Sequence, residues 1–93
     1  MQYVLIIHEV ENYEASKQVF DHAETNRKEA RERSYQVLKY DNKPNKIVYF
    51  SAWTSTTDAR TFFESPALVK MREEAGVKAP EFIYLDQLES GVL

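Results

Sequence analysis

The sequence contains no cysteine, two glycines and three prolines, and no apolar run long enough to cross a membrane. Without cysteine the chain can form no disulfide, thiolate metal site or cysteine nucleophile, which suits a reducing compartment and predicts a cytoplasmic location. The formal net charge of -3 lacks the basic excess that nucleic-acid binding usually requires. Residues 1–10 form an apolar run that carries no basic segment and ends in charge at Glu9 and Glu11, which predicts a strand rather than a signal peptide. We therefore expect neither a nucleic-acid nor a membrane partner.

The composition is that of a small folded domain. Of the 93 residues, 43% are hydrophobic and 29% are charged, which predicts a single globular domain over residues 1–93. The sequence has no phosphate loop, nucleophile elbow, dinucleotide fingerprint or recognisable pair of catalytic carboxylates. Its two histidines, His8 and His22, fall on separate predicted elements without the spacing of a metal site. We accordingly predict no metal and no cofactor.

Hydrophobic patterning predicts an α+β fold of the ferredoxin-like βαββαβ type, with a four-stranded antiparallel sheet. Residues 41–46 are rich in turn formers and join strands two and three as a hairpin. Asn12 caps the first helix, and Gly76 ends the last one. The charged run over residues 27–33 is interpreted as a solvated helix end. The predicted strands cover residues 3–10, 34–40, 47–53 and 81–88, and the predicted helices cover 13 to 27–30, 56–63 and 66–75.

Three of the predicted strands are continuously apolar. In a sheet with one solvent-exposed face, apolar and polar residues would alternate along each strand. These runs are residues 4–7, 47–50 and 82–85. Left open, the face without helices would expose more apolar surface than a monomer usually tolerates. We therefore predict a homodimer through the open sheet face, which forms a dimeric α/β barrel. An RNA-recognition domain also has an open aromatic sheet, but the third strand lacks its glycine and the chain is acidic.

Several segments resemble the antibiotic-biosynthesis-monooxygenase-like group of the dimeric α/β-barrel superfamily. Residues 8–13 (HEVENY) are similar to the His-x-Val-x-Asp-Tyr start of many small bacterial members. The other similar segments are residues 50–55 (FSAWTS), 62–68 (FFESPAL) and 75–80 (AGVKAP). The resemblance covers nearly the whole chain. It implies a homodimer of ferredoxin-like protomers, each with a pocket between its sheet and its helices.

The resemblance also implies a range of activities. Members include cofactor-free oxygenases of quinol-like substrates, polyketide cyclases, haem-degrading enzymes and proteins without known activity. The chain departs from the pattern at Ser16, where many relatives carry tryptophan, and at Ala52, where a glutamate commonly precedes the tryptophan. The first change predicts a larger cavity beside helix one. The second removes an acid that could have been catalytic or structural.

His8 is the candidate general base, because its pKa lies nearest neutral and it falls near the end of strand one. The alternative for His8 is a half-buried, hydrogen-bonded structural histidine. Arg33 could hold an anionic group of a substrate, or form a surface salt bridge. The remaining candidates are aromatic, and each could instead serve the core or the dimer interface. The strand tyrosines Tyr35, Tyr49 and Tyr84 would orient a substrate, and Trp53 and Phe63 would form pocket walls.

The sequence favours two classes of function over a third. In the first, a small homodimeric pocket protein acts on an aromatic or polyketide-like molecule as a cofactor-free monooxygenase or cyclase, with His8 as base. In the second, a non-catalytic dimeric domain of the same fold binds a metabolite or has a stress or regulatory role. Haem degradation is a third reading, for which no proximal histidine is identified.

Overall fold

Four extended segments rich in β-branched and aromatic residues pair into one antiparallel sheet in the order β2-β3-β1-β4. The computed structural model describes residues 1–74 and 76–93. The helices cover one face of the sheet, so the predicted ferredoxin-like α+β fold is confirmed. The elements are β1 Gln2–Val10, α1 Tyr13–His22, α2 Glu24–Glu29, β2 Glu32–Tyr40, β3 Lys43–Trp53, α3 Thr56–Phe63, α4 Pro66–Glu74 and β4 Val77–Asp86.

The first helical region is broken at Ala23, so the prediction of one continuous helix was wrong. Asn12 caps α1 as expected, since its side chain accepts a hydrogen bond from the Ala15 N–H. At the other end, the Ala23 N–H donates to the carbonyls of both Val19 and Phe20, a tight turn that ends α1. The second helix then begins at Glu24. This break matters for the site, because Arg27 on α2 is buried.

Two prolines that indicated loops lie instead inside strands, where irregular pairing accommodates them. The turn predicted over 41–46 is shorter, and β3 already begins at Lys43. Pro44 falls where the β2–β3 register shifts, so its missing N–H interrupts no regular ladder. Pro80 lies on the edge strand β4 beside a similar register shift against β1. Strand β4 therefore runs over Val77–Asp86, earlier than the predicted 81–88.

The end of the helical region agrees with its predicted glycine signal. Helix α4 ends at Glu74, and Gly76 has a φ of 72°, the left-handed conformation that glycine adopts most easily. Ala75, the last helical residue in the prediction, lies outside the described residues. Within the described ranges, none of the helices combines the length and apolar character that a membrane crossing requires.

The two faces of the sheet differ in what covers them. Side chains alternate along each strand, so Val4 and Ile6 point to the helices and join a core with Trp53 and Phe63. The alternate residues form the opposite face, which we call the open face. There the rings of Tyr3 and Phe50 stack with centroids 5.2 Å apart. The other apolar members of the open face are Leu5 and Ile7 on β1, Leu38 on β2, Val48 on β3, and Ile83 and Leu85 on β4.

Candidate functional site

Two adjoining cavities lie between the sheet and the helices. The inner cavity measures about 80 Å³, and the outer cavity measures about 300 Å³. Both are lined by His8, Ser16, Phe20 and Tyr49, so they meet at a common wall. The rest of the inner lining comes from Ile6, Val19, Ala23, Arg27, Phe62, Phe63, Leu68, Met71, Arg72 and Phe82.

His8 reaches this wall because it follows Val4 and Ile6 at alternate positions of β1, on the face covered by helices. Its Nδ1 atom is buried and has no hydrogen-bond partner among the described residues. Burial, and after it the positive charge of Arg72, lower the pKa of His8 below its ordinary value of 6.5. The ring is therefore neutral at physiological pH and can accept a proton.

The lowered pKa of His8 predicts a loss of stability in acid. The folded state binds this proton less readily than the unfolded chain does, so the free energy of unfolding should fall as pH drops below about 6.5. In a His8→Gln variant this part of the decline should be absent. Urea unfolding between pH 5 and 7.5 measures the slope, and His22→Gln, at the exposed end of α1, is the matched control. Equal slopes in wild type and His8→Gln would refute the prediction.

A buried charged network adjoins the inner cavity through Arg27 and Tyr49. The Arg27 Nη1 atom lies 3.1 Å from Glu32 Oε1, and each of the two side chains is only 5% exposed. The hydroxyl of Tyr49 donates a hydrogen bond to the other oxygen of Glu32. Burial raises the pKa of Glu32, although its bonds to Tyr49 and Arg27 oppose that shift. The prediction of a solvated helix end over residues 27–33 was therefore wrong at Arg27 and Glu32.

Aromatic rings surround this network and fix the guanidinium. The Arg27 guanidinium carbon lies 3.6 Å from the centroid of the Phe20 ring, close enough for a cation–π contact. Phe20 in turn meets Tyr35 and Tyr49 edge to face, with centroids 5.1 and 5.0 Å away. The ring centroid of Phe63 lies 6.1 Å from that of Tyr49. Apolar and aromatic groups thus form most of the cavity wall, with a few fixed polar atoms among them.

The structure brings together only some of the residues that the sequence singled out. His8, Tyr49 and Phe63 line the inner cavity, and Tyr35 lines the outer one although it is 51% exposed. Tyr84 lies in a third cleft along β4, where the Arg60 guanidinium carbon is 3.9 Å from its ring centroid.

Like Tyr84, Arg33 and Trp53 lie outside the cavities that His8 lines. Arg33 is exposed at the start of β2. Trp53 is fully buried in the core, where its indole N–H donates to the Ser51 hydroxyl at 2.8 Å. The cations that do line the inner cavity are Arg27 and Arg72. Sequence patterning had not selected either arginine.

The two departures from the family pattern have different consequences. Ser16 lines both cavities, as its small size predicted. Ala52 precedes the inward-facing Trp53 and pairs with Tyr3 across β1 and β3, which puts it on the open face. An acidic residue at position 52 would point away from His8. Its absence therefore removes no group from the cavities beneath the helices.

Polar groups that could hold a bound species are few. Across residues 1–74 and 76–93, no three His, Asp or Glu side chains lie close enough together to hold a metal ion. The polar side chains of the inner cavity are those of His8, Ser16, Arg27, Tyr49 and Arg72. Such a set can bind and deprotonate a small, mostly apolar molecule.

Comparison with known proteins supports the fold. Neither a protein-family model nor a curated protein sequence matches the chain. Among solved structures, SnoaB, a cofactor-independent oxygenase from Streptomyces nogalater, is 13% identical with a TM-score of 0.77, over 96% of this chain and 94% of SnoaB. A Deinococcus radiodurans protein provisionally named an antibiotic biosynthesis monooxygenase is 15% identical with a TM-score of 0.74, over 100% and 98% of the two chains.

A third similar structure is a dimeric ferredoxin-like protein from an uncultured marine organism, 7% identical with a TM-score of 0.68 over the full length of both chains. The resemblance to the antibiotic-biosynthesis-monooxygenase-like proteins is thus confirmed as a likeness of fold.

Proposed function

We propose that this chain is a homodimeric, cofactor-independent monooxygenase or cyclase that acts on a small aromatic or polyketide-like molecule, with His8 as its general base. The observation that carries the proposal is the position of His8: its neutral ring lies at the wall between two cavities, and its buried Nδ1 atom has no partner in the part of the chain that the structure describes. SnoaB, whose fold is similar, is a cofactor-independent oxygenase.

The chemistry asks little of the protein beyond a base and a dry site. His8 would accept a proton from an acidic C–H or O–H of the bound molecule, leaving a carbanion stabilised by its ring system. That carbanion would reduce dioxygen, and the resulting hydroperoxide would lose water. For a CH₂ group the balance is one O₂ consumed, one carbonyl formed and one water released. The same deprotonation, without dioxygen, would start a cyclisation.

Tyr35 and Tyr49 would orient the substrate in the outer cavity. The outer cavity, at about 300 Å³, is of the size that small-molecule sites usually have. Its aromatic lining from Phe20, Tyr35 and Tyr49 suits a flat ring. Burial and the charge of Glu32 raise the pKa of Tyr49, so its hydroxyl stays protonated and acts as a hydrogen-bonding group rather than a base.

The proposed dimer rests on the open face. This face is apolar along the central strands β1 and β3, and Leu38 and Leu85 are 50% and 38% exposed at its edges. A patch of this kind usually marks an interaction site. Beyond β4, the segment over residues 87–93 is exposed and carries Leu88 and Leu93, which would reach across to the partner. The dimeric state of a structurally similar protein supports a second copy as the occupant.

Oxygen uptake tests the proposed activity. With a panel of substituted anthrones as probes, the wild type should consume dioxygen in proportion to the quinone formed. Replacing His8 with alanine should lower the rate at least about 100-fold, the usual contribution of a general base, without dissociating the dimer. His22→Ala is the control, because His22 is exposed at the end of α1. Full activity in the His8→Ala variant would refute the role of His8.

The small inner cavity favours a second candidate, a non-catalytic domain that binds a metabolite or has a stress or regulatory role. A space of about 80 Å³ holds a substituent rather than a whole polyketide. Under this reading, the same panel would raise the melting temperature with no oxygen uptake and no product. Turnover that depends on His8 would exclude it.

A further inference from the structure

Two residues that line the inner cavity each carry a buried polar atom without a hydrogen-bond partner among the described residues. These atoms are Nδ1 of His8 and Nε of Arg27, and among the described side chains only these two nitrogen or oxygen atoms are both buried and unpartnered. The two residues belong to different elements, β1 and α2, yet both line the inner cavity. A buried polar group without a partner is costly, and a fold usually retains one only where something else satisfies it.

The surroundings of Arg27 explain why Nε is the atom left over. Glu32 engages Nη1 at 3.1 Å, and the Phe20 ring lies over the guanidinium at 3.6 Å. The network fixes the side chain, since both partners of the ion pair are almost fully buried. The Nε–H group is therefore held in place as a hydrogen-bond donor before any ligand binds.

The two atoms together define what can satisfy them. Arg27 Nε–H can only donate, whereas the neutral imidazole of His8 can accept or donate at Nδ1 according to its tautomer. A hydroxyl oxygen both accepts and donates, so it can complete either arrangement. A carbonyl or ether oxygen cannot donate to an accepting Nδ1, and an apolar group satisfies neither atom.

We propose that the inner cavity is a hydroxyl-binding subsite in which Arg27 Nε–H and His8 Nδ1 hold the phenolic or enolic O–H of a ligand whose ring lies in the outer cavity. This inference rests on the proposed function and deepens it, because it names the group that His8 deprotonates and gives Arg27 a positioning role. The proton would move from the ligand oxygen to His8, and the oxyanion would stay beside the Arg27 guanidinium. Charge-assisted hydrogen bonds of this kind are the stronger ones.

Glu32 sets the strength of this subsite. Its carboxylate offsets the charge of Arg27, so the cavity binds a phenol without demanding an anion. A Glu32→Gln variant keeps a side chain of similar shape but removes the offsetting charge. The unbalanced guanidinium should then favour the ionised ligand, so phenolate binding should become tighter even if the protein is less stable. If the network were only structural, replacing either Arg27 or Glu32 would weaken ligand binding.

The test uses 4-nitrophenol and 4-nitroanisole. The two share a nitrophenyl ring, but the phenol has a hydroxyl group where the anisole has a methyl ether. Both are titrated into the wild-type protein by equilibrium dialysis near neutral pH, and absorbance reports the phenolate fraction of bound 4-nitrophenol. Wild type should bind the phenol about tenfold or more tightly than the anisole, and the bound phenol should be more ionised than in solution. Arg27→Lys keeps the charge but lacks Nε–H, and should lose both differences. Arg33→Lys, on the exposed start of β2, is the matched control.

The outcomes separate this inference from the proposed function. If Arg27→Lys folds poorly, Glu32→Gln still tests the inference. The inference requires the phenolate fraction of bound 4-nitrophenol to be higher in Glu32→Gln than in wild type. Equal affinity for the two probes in wild type, or preference for the phenol that survives Arg27→Lys, would overturn the hydroxyl subsite while leaving an aromatic pocket. Failure of wild type to bind either probe would overturn the pocket itself, and with it the proposed function.

Discussion

Replacing Arg27 with alanine should lower the free energy of unfolding by about 3–5 kcal/mol, because it leaves the buried carboxylate of Glu32 without its cation. The side chains of both residues are only 5% exposed, so water cannot replace the lost partner. The change also removes the cation–π contact with Phe20. Urea unfolding at pH 7 measures the difference. Arg31→Ala is the control, since Arg31 is 65% exposed and lies 3.9 Å from Asp58.

The deficit of Arg27→Ala should shrink in acid. Burial already raises the pKa of Glu32, and loss of the neighbouring cation should raise it further. A carboxyl group whose pKa is raised on folding favours the folded state as pH falls, because the folded chain takes up the proton first. The difference between variant and wild type should therefore be smaller at pH 5 than at pH 7. A deficit below about 1 kcal/mol at pH 7 would contradict the view that the pair is buried.

An apolar replacement of the whole network separates charge from packing. Arg27→Met with Glu32→Leu, in a Tyr49→Phe background, removes every charged or polar member together. Replacing a buried ion pair by apolar groups of similar volume is often neutral or stabilising, so this triple variant should recover most of the loss. It should also abolish preference for 4-nitrophenol over 4-nitroanisole. Stability without preference would show that the network serves binding rather than folding.

The strand pattern was enough to predict the fold. The predicted bounds of the elements were wrong where they rested on a proline. Continuous runs of β-branched and aromatic residues identified β1 and β3 correctly, because such residues favour the extended conformation of a strand. Pro44 and Pro80 indicated loops, since proline cannot donate to a regular ladder. Both lie beside register shifts, where that donor is not needed. Such irregularities depend on the pairing partner, which one strand's sequence does not contain.

The site was predictable in part, and Arg27 shows where the prediction failed. The charged run over residues 27–33 indicated a solvated surface. A helical signal was nevertheless present: Arg27 follows Ala23 by four positions and precedes Ala30 by three, which extends the buried stripe. Its partner Glu32 lies on the next strand, beyond a residue with positive φ, Arg31. No local pattern could show that this turn brings the two charges together.

Replacing Leu5 with glutamate should convert the proposed dimer to a monomer. Leu5 is on the central strand β1, and on the open face it lies between Phe50 of β3 and Ile83 of β4. A symmetric interface would bury the new carboxylate twice, once from each copy. At about 3–5 kcal/mol for each unpaired buried charge, the dimer dissociation constant should rise by far more than about 100-fold.

Light scattering after size-exclusion chromatography measures this change directly. Val69→Glu is the matched control, because Val69 is 37% exposed on α4 and lies on the opposite side of the sheet. Wild type and Val69→Glu should both be dimeric, and their melting temperatures should rise with protein concentration, whereas that of Leu5→Glu should not. A wild type that stays monomeric at high concentration would refute the proposed dimer. If Leu5→Glu remained dimeric, the interface would have to lie on another surface. An unpaired carboxylate at the centre of two apposed apolar sheets has no partner to offset its desolvation.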